Sequence, residues 1–167
     1  SNWAFDQSIG RATWGEAYMI DPHTGLLWPQ RFERAEVVVQ EGLPVGKTLD
    51  WVDLSFAPEI AVPEDAIVDW DPVNQAFITA AEKFPDGTTA RVKSTVYYPA
   101  DLFETVKWHD GTPLDLGDFI FGWIISLDLG KEGSAIYDES YAPNTEAILA
   151  NYKGFKILSE NPLTIEA

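Results

Sequence analysis

Cysteine is absent from the 167-residue chain. That single absence removes disulfides, thiol catalysis and cysteine-ligated zinc, and it does not by itself assign a compartment. Basic residues are few, 11 against 27 acidic ones, for a net charge of −16. A chain this anionic repels phosphate backbones and anionic lipid, so no nucleic acid is expected as a partner. The charge reads first as solubility. Long apolar runs are missing too, since nothing approaches the ~20 residues that cross a bilayer. The opening residues SNWAFDQS have neither a basic n-region nor an apolar h-region, so no signal peptide is read in them. Either the protein is cytoplasmic or its leader lies outside the chain, and Ser1-Asn2 has the look of a cloning remnant. Also lacking are a P-loop, a G-x-G-x-x-G turn and a G-x-S-x-G nucleophile elbow.

What the chain does have is aromatic content: seven tryptophans, six tyrosines and nine phenylalanines. Such rings fill cores and also stack on sugars or peptides. A chain of this length buries roughly 70% of its unfolded surface, so one core suffices. Residues 1–33 read as an irregular N-terminal segment with turn chemistry at Asp21-Pro22 and His23-Thr24-Gly25. Strands are expected over Ala35–Glu41 and Leu49–Phe56, with Pro44, Pro58 and Pro63 marking edges and loops. Val62–Trp70 suits a short helix, with Pro63 in its first turn and Glu64 and Asp65 at the positive end of the dipole. Gln75–Phe84 and Thr89–Tyr98 read as a hairpin around Pro85-Asp86-Gly87. The stretch from Asp101 to Glu104 reads as a solvated loop.

Asp115 is a predicted N-cap, with Asp118 three residues on completing a capping box. Leu116, Phe119, Ile120, Trp123, Ile124 and Leu127 then recur at helical spacing, and Phe121 and Ile125 extend the apolar surface round the side. A helix apolar on most sides is expected to be buried on most sides. A further helix is expected from Asn144, as N-cap, to Tyr152, with Gly154 just past its end. The pieces FKIL and LTIEA read as strands split by Glu160-Asn161-Pro162.

Candidates for chemistry are sparse. His23 and His109 are far apart, and His109, beside a turn, reads as a locally hydrogen-bonded turn residue in preference to a general base. Asp69 and Asp71 flank Trp70 and invite comparison with a glycosidase pair or a calcium loop. The calcium pattern needs glycine sixth and glutamate twelfth, where this chain has Asn74 and Ala80. Capping or turn roles suit both carboxylates better. No catalytic residue, no metal ligand and no cofactor is assigned, and the chain is not expected to be an enzyme.

VKWHDGTPLDLGDFIFGW, Val106 to Trp123, adds a resemblance. It is similar to the signature of the family 5 extracellular solute-binding proteins, the peptide-, dipeptide- and oligopeptide-binding components of ABC importers. The matching residues are Lys107-Trp108-His109-Asp110-Gly111-Thr112-Pro113, then Asp118, Phe119, Phe121 and Trp123. The helix ending at Tyr152-Lys153-Gly154 and the FKILSENPLTIEA pair agree in order, and the likeness extends over Ala90–Ala167. Upstream it is looser, and ADLFET looks like an insertion. The resemblance implies that the Asp-Gly-Thr-Pro turn reverses the chain into a helix packed across a sheet.

It also implies that residues 1–167 form one domain, a fragment of a larger two-lobed receptor: the inserted subdomain of the first lobe of a periplasmic-binding-protein-like fold. The implied partners are a small solute (peptide or oligosaccharide), the remaining lobes and the ABC permease in the membrane. The implied location is extracellular or periplasmic, anchored through a part outside this chain. Ligand-binding residues stay unknown. The fold expectation is α+β, a mostly antiparallel sheet with the Leu116–Leu127 helix across one face. Two other functions remain open. One is a free-standing carbohydrate-binding module using Trp28, Trp51 or Trp70 as an aromatic platform, and the other a hydrolase using Asp69 and Asp71.

Overall fold

A computed structural model describes residues 17–167. What was expected of residues 1–16, Ser1-Asn2 included, lies outside the described residues. In chain order the strands are β1 (Tyr18–Ile20), β2 (Leu27–Pro29), β3 (Arg34–Gln40), β4 (Val52–Ala57), β5 (Ile60–Ala61) and β6 (Ile67–Asp71), then β7 (Ala76–Thr79), β8 (Thr89–Ala90), β9 (Val92–Tyr97), β10 (Lys156–Glu160) and β11 (Leu163–Glu166). Among the described residues the helices are α1 (Ala80–Lys83), α2 (Leu102–Thr105), α3 (Leu116–Asp128) and α4 (Ala142–Asn151), with a 3-10 turn at Glu139–Tyr141. The class is α+β, and most strand pairs are antiparallel.

The main sheet runs β10-β11-β9-β3-β4. β3 is rich in valine, as strands favour, and Val39 at its core is 1% exposed. β3 and β4 pair in parallel, Ala35 opposite Val52 through Gln40 opposite Ala57. Their connection, residues 41–51, contains no helix, whereas most parallel crossovers use one. β4 is an edge strand and Pro58 follows it, as the prolines suggested.

α3 forms where the spacing predicted it. The Asp115 carboxylate accepts from the Asp118 N–H at 3.2 Å, and the Asp118 carboxylate accepts from the Asp115 N–H at 2.9 Å. Leu116, Phe119 and Trp123 pack against buried Tyr98, Leu102, Leu163 and Ile165 of the sheet side. Tyr98 and Phe119 meet edge to face at 5.5 Å between centroids. Burial all round does not hold, however. Phe121 is 63% exposed, and only Leu127 and Asp128 of the helix are fully buried. α3 also meets β6 and α4, but the side that carries Phe121 has no covering element among the described residues, however apolar its sequence.

Several local expectations are corrected. β1 and β2 form a hairpin inside the segment read as irregular. Its turn is the expected one: Asp21 accepts from the N–H groups of His23 and Thr24 at 2.7 and 3.1 Å. The helix expected over Val62–Trp70 is instead a turn followed by β6, which pairs with β7. Ile67, Val68 and Trp70 are strand formers, and Ala66, Val68, Asp69 and Trp70 are all buried. The expected hairpin around Pro85-Asp86-Gly87 keeps its turn, with Gly87 at φ +80°, but its arms have other partners. β7 returns to β6, β8 pairs with β5, and β9 lies between β11 and β3. Thr79 and Glu82 form a capping box that diverts the first arm into α1.

The Asp101–Glu104 loop is the start of α2, and its Leu102 is 3% exposed. α4 begins at Ala142 after the 3-10 turn, so Asn144 lies within the helix and is not its cap. β10 and β11 pair antiparallel across Asn161-Pro162, a cis peptide, as the strand–turn–strand reading expected. None of the helices among the described residues is long and apolar enough to cross a membrane.

Candidate functional site

Asp69 and Asp71 lie two apart on β6, yet their surroundings differ. Asp69 is buried, and its carboxylate is shared by the ammonium groups of Lys83, at 2.8 Å, and Lys131. Lys131 also donates to the Trp70 carbonyl, and the Trp70 N–H donates to Asp69 at 2.8 Å. Burial works against ionisation of Asp69, but the bonds from Lys131, Lys83 and the Trp70 N–H outweigh it and hold the carboxyl below its ordinary range. The Trp70 indole N–H donates to Asp128 at 3.1 Å, and Asp128 accepts from the Ser134 hydroxyl at 2.7 Å. One buried polar node thus ties β6, α1, α3 and the loop after α3 together.

Asp71 is a turn residue. It accepts from the backbone N–H groups of Val73 and Asn74 at 2.8 and 2.9 Å and from the Asn74 amide at 2.7 Å. Those bonds, the Asn74 backbone bond first, lower its pKa. The turn and capping reading of Asp71 therefore holds. Asp69 is a counter-ion to two lysines, a role the sequence reading did not anticipate. No group of three or more potential metal-ligating side chains occurs among the described residues.

The turn at His109 is built by its neighbours. Asp110 accepts from the Thr112 N–H at 2.9 Å, which is the main cause of its lowered pKa. The Gly111 N–H donates to the Trp108 carbonyl, and the Trp108 N–H to the Thr112 carbonyl. Gly111 sits at φ +88°, where a side chain would be strained. The exposed His109 ring plays no part in these bonds, contrary to the hydrogen-bonded role expected for it. The Trp108 indole N–H reaches Asp118 at 3.2 Å and so links the turn to the first turn of α3.

Of the three tryptophans offered as a platform, Trp70 is 6% exposed and is withdrawn from that role. Trp28 is 59% exposed on β2. Trp51 packs on Phe32 at 5.2 Å, and its indole N–H donates to the Leu27 carbonyl at 3.1 Å.

The concave feature of note involves none of these residues. A cleft of about 440 Å³ lies between the β5–β8 pair and the chain leaving α4. Ile60, Val62 and Phe155 are among its apolar lining residues, and Tyr152 lines it too. Burial pushes the Tyr152 phenol up to about 12, so it stays a neutral hydroxyl at physiological pH. Four of the chain's 11 basic residues, Arg91, Lys93, Lys153 and Lys156, line this cleft, against one of its 27 acidic residues, Glu166. No periodicity or motif marks these four. The available signal was the scarcity of cations, which makes any gathering of them informative.

No family model matches the chain, and no curated protein matches it.

Proposed function

We propose that this chain is part of the extracellular solute receptor of an ABC importer, capturing peptides or a related small solute for uptake. The observation that supports the reading best is the Trp108–Pro113 reversal. It is exposed, is built from Asp110 and backbone bonds, and leads into capped α3, which lies across the sheet. That is the arrangement the solute-binding resemblance implies for this stretch. The cleft beside β5 and β8 is of a size that suits a small ligand. On this reading the chain is a first-lobe fragment. Its partners are the remaining lobes and a membrane permease, and its location is extracellular or periplasmic, anchored through another part of the protein.

A thermal-shift screen of the chain with peptides and neutral oligosaccharides tests this. A ligand present at 100 times its dissociation constant adds ~2.7 kcal/mol of stability. A shift with peptides supports the receptor reading. A shift confined to neutral oligosaccharides, lost on Trp28→Ala, moves the function to a carbohydrate-binding module, a reading favoured by the exposure of Trp28. Stability unchanged by every solute overturns capture by this chain.

A further inference from the structure

We infer that the cleft between the β5–β8 pair and the chain leaving α4 is an anion site, taking a small solute through a carboxylate or phosphate group held by Arg91 and Lys153. The inference deepens the receptor reading and rests on it for its purpose.

The local balance of charge is the first argument. The chain carries 27 acidic and 11 basic residues, yet the charged side chains lining the cleft are four basic to one acidic. Two of the four are already paired. Lys93 binds Glu166 at 3.0 Å, and Lys156 binds Asp65 with contacts of 2.6 and 2.8 Å. Neither Arg91 nor Lys153 has a carboxylate partner among the described residues. Lys153 instead places its ammonium 5.6 Å from the centre of the Phe84 ring. The lining side chains are therefore left with a positive excess from two residues on different segments, one following β8 and one following α4, which exceeds the single carboxylate that Ala167 adds to the lining in the 167-residue chain.

The chemistry of the two groups suits one oxyanion. The guanidinium of Arg91 presents a planar fork of donors that matches carboxylate and phosphate oxygens, and the Lys153 ammonium supplies a point charge. Tyr152, kept neutral by burial, also lines the cleft. The apolar lining residues Ile60, Val62 and Phe155 suit an apolar remainder of the solute, and the cleft volume limits its size. Selection by such a site runs against the field of the whole molecule, because a net charge of −16 favours cationic ligands at long range.

That opposition makes the test stringent. Calorimetric titration of the 167-residue chain would use two matched pairs, trialanine with trialanine amide and glucose 6-phosphate with glucose. Within at least one pair the anion-bearing member should bind about tenfold tighter or better, as charged hydrogen bonds of this kind contribute. The double variant Arg91→Gln with Lys153→Gln should erase that preference, while Lys47→Gln, an exposed lysine outside the cleft, should retain it. An unfolding midpoint of the double variant equal to that of the wild-type chain is the check that the loss does not come from misfolding.

Equal binding of both members in both pairs overturns the anion site, and so does a preference that survives the double variant, or no binding by any probe. Trialanine amide binding as tightly as trialanine, with glucose 6-phosphate no tighter than glucose, would sink the anion site and leave the receptor reading standing. Binding of glucose 6-phosphate alone would keep the anion site and overturn the peptide form of the receptor reading.

Discussion

Two neighbouring regions of this molecule bury their interiors by different means. Between α3 and the main sheet, closure is by rings and aliphatic chains, Tyr98, Leu102, Leu163 and Ile165 packed under Phe119 and Trp123. Around β6 the apolar cluster is smaller, Ala66, Val68 and Ala80, and the rest of the closure falls to Asp69 with its two lysines and to Trp70 with Asp128. Phe155 joins the regions. Its ring lies 3.6 Å from that of Trp123 and 6.3 Å from that of Phe77 on β7, and its backbone pairs with Ile67. Apolar packing is tolerant of detail, while a buried ion cluster depends on every member. The first region can drift in sequence at constant volume, and the second cannot lose one charge without stranding another.

The joint between the regions is where the largest loss is expected. Phe155→Ala removes a ring 2% exposed and should lower unfolding stability by ~4 kcal/mol in urea or guanidinium titration, as large aromatic truncations in cores do. A loss under ~1 kcal/mol would show that the two regions are not coupled through this ring.

Asp69→Asn comes next. It strands Lys83 and Lys131, whose side chains are only 31% and 20% exposed, and should cost ~3 kcal/mol, toward the low end for a broken buried pair because some solvent reaches both. The same variant sharpens the comparison through pH. A carboxyl whose folded pKa is depressed contributes stability that is fully present above the unfolded value, near 3.8, and lost as pH falls below it toward the folded value. The wild-type chain should therefore lose stability more steeply below that point than Asp69→Asn. Parallel acid limbs for the two proteins would mean that Asp69 is not held ionised by its lysines.

The smallest effect is expected on the outer side of the first region. Phe121→Ser changes a side chain 63% exposed and should alter stability by no more than ~0.5 kcal/mol. A loss of 2 kcal/mol or more would mean that this face of α3 is covered after all.

Legibility in the sequence followed how local the cause was. The α3 cap was readable because Asp115 and Asp118 sit three residues apart and satisfy each other's turn. The turns at Asp21, Gly87 and Gly111 were readable for the same reason. The Val62–Trp70 segment misled because proline and two acids mimic a helix start, while the strand beyond them is decided by its pairing with β7. The exposure of Phe121 was not readable at all, since periodicity gives the apolar face of a helix but not how many neighbours meet it.

The site was less legible than the fold. Asp69 and Asp71 were picked out by sequence and both turned out to be held in place, one by ions and one by a turn. The partners of Asp69 lie 14 and 62 positions away, and the cations of the cleft come from segments separated by α2, α3 and α4.

By itself, then, the sequence determined the class of fold, the capped helix and the tight turns, because each follows from chemistry within a few residues. Tertiary structure alone decided which strands pair, which apolar face stays exposed and where the few cations meet, because those depend on contacts between residues far apart in the chain.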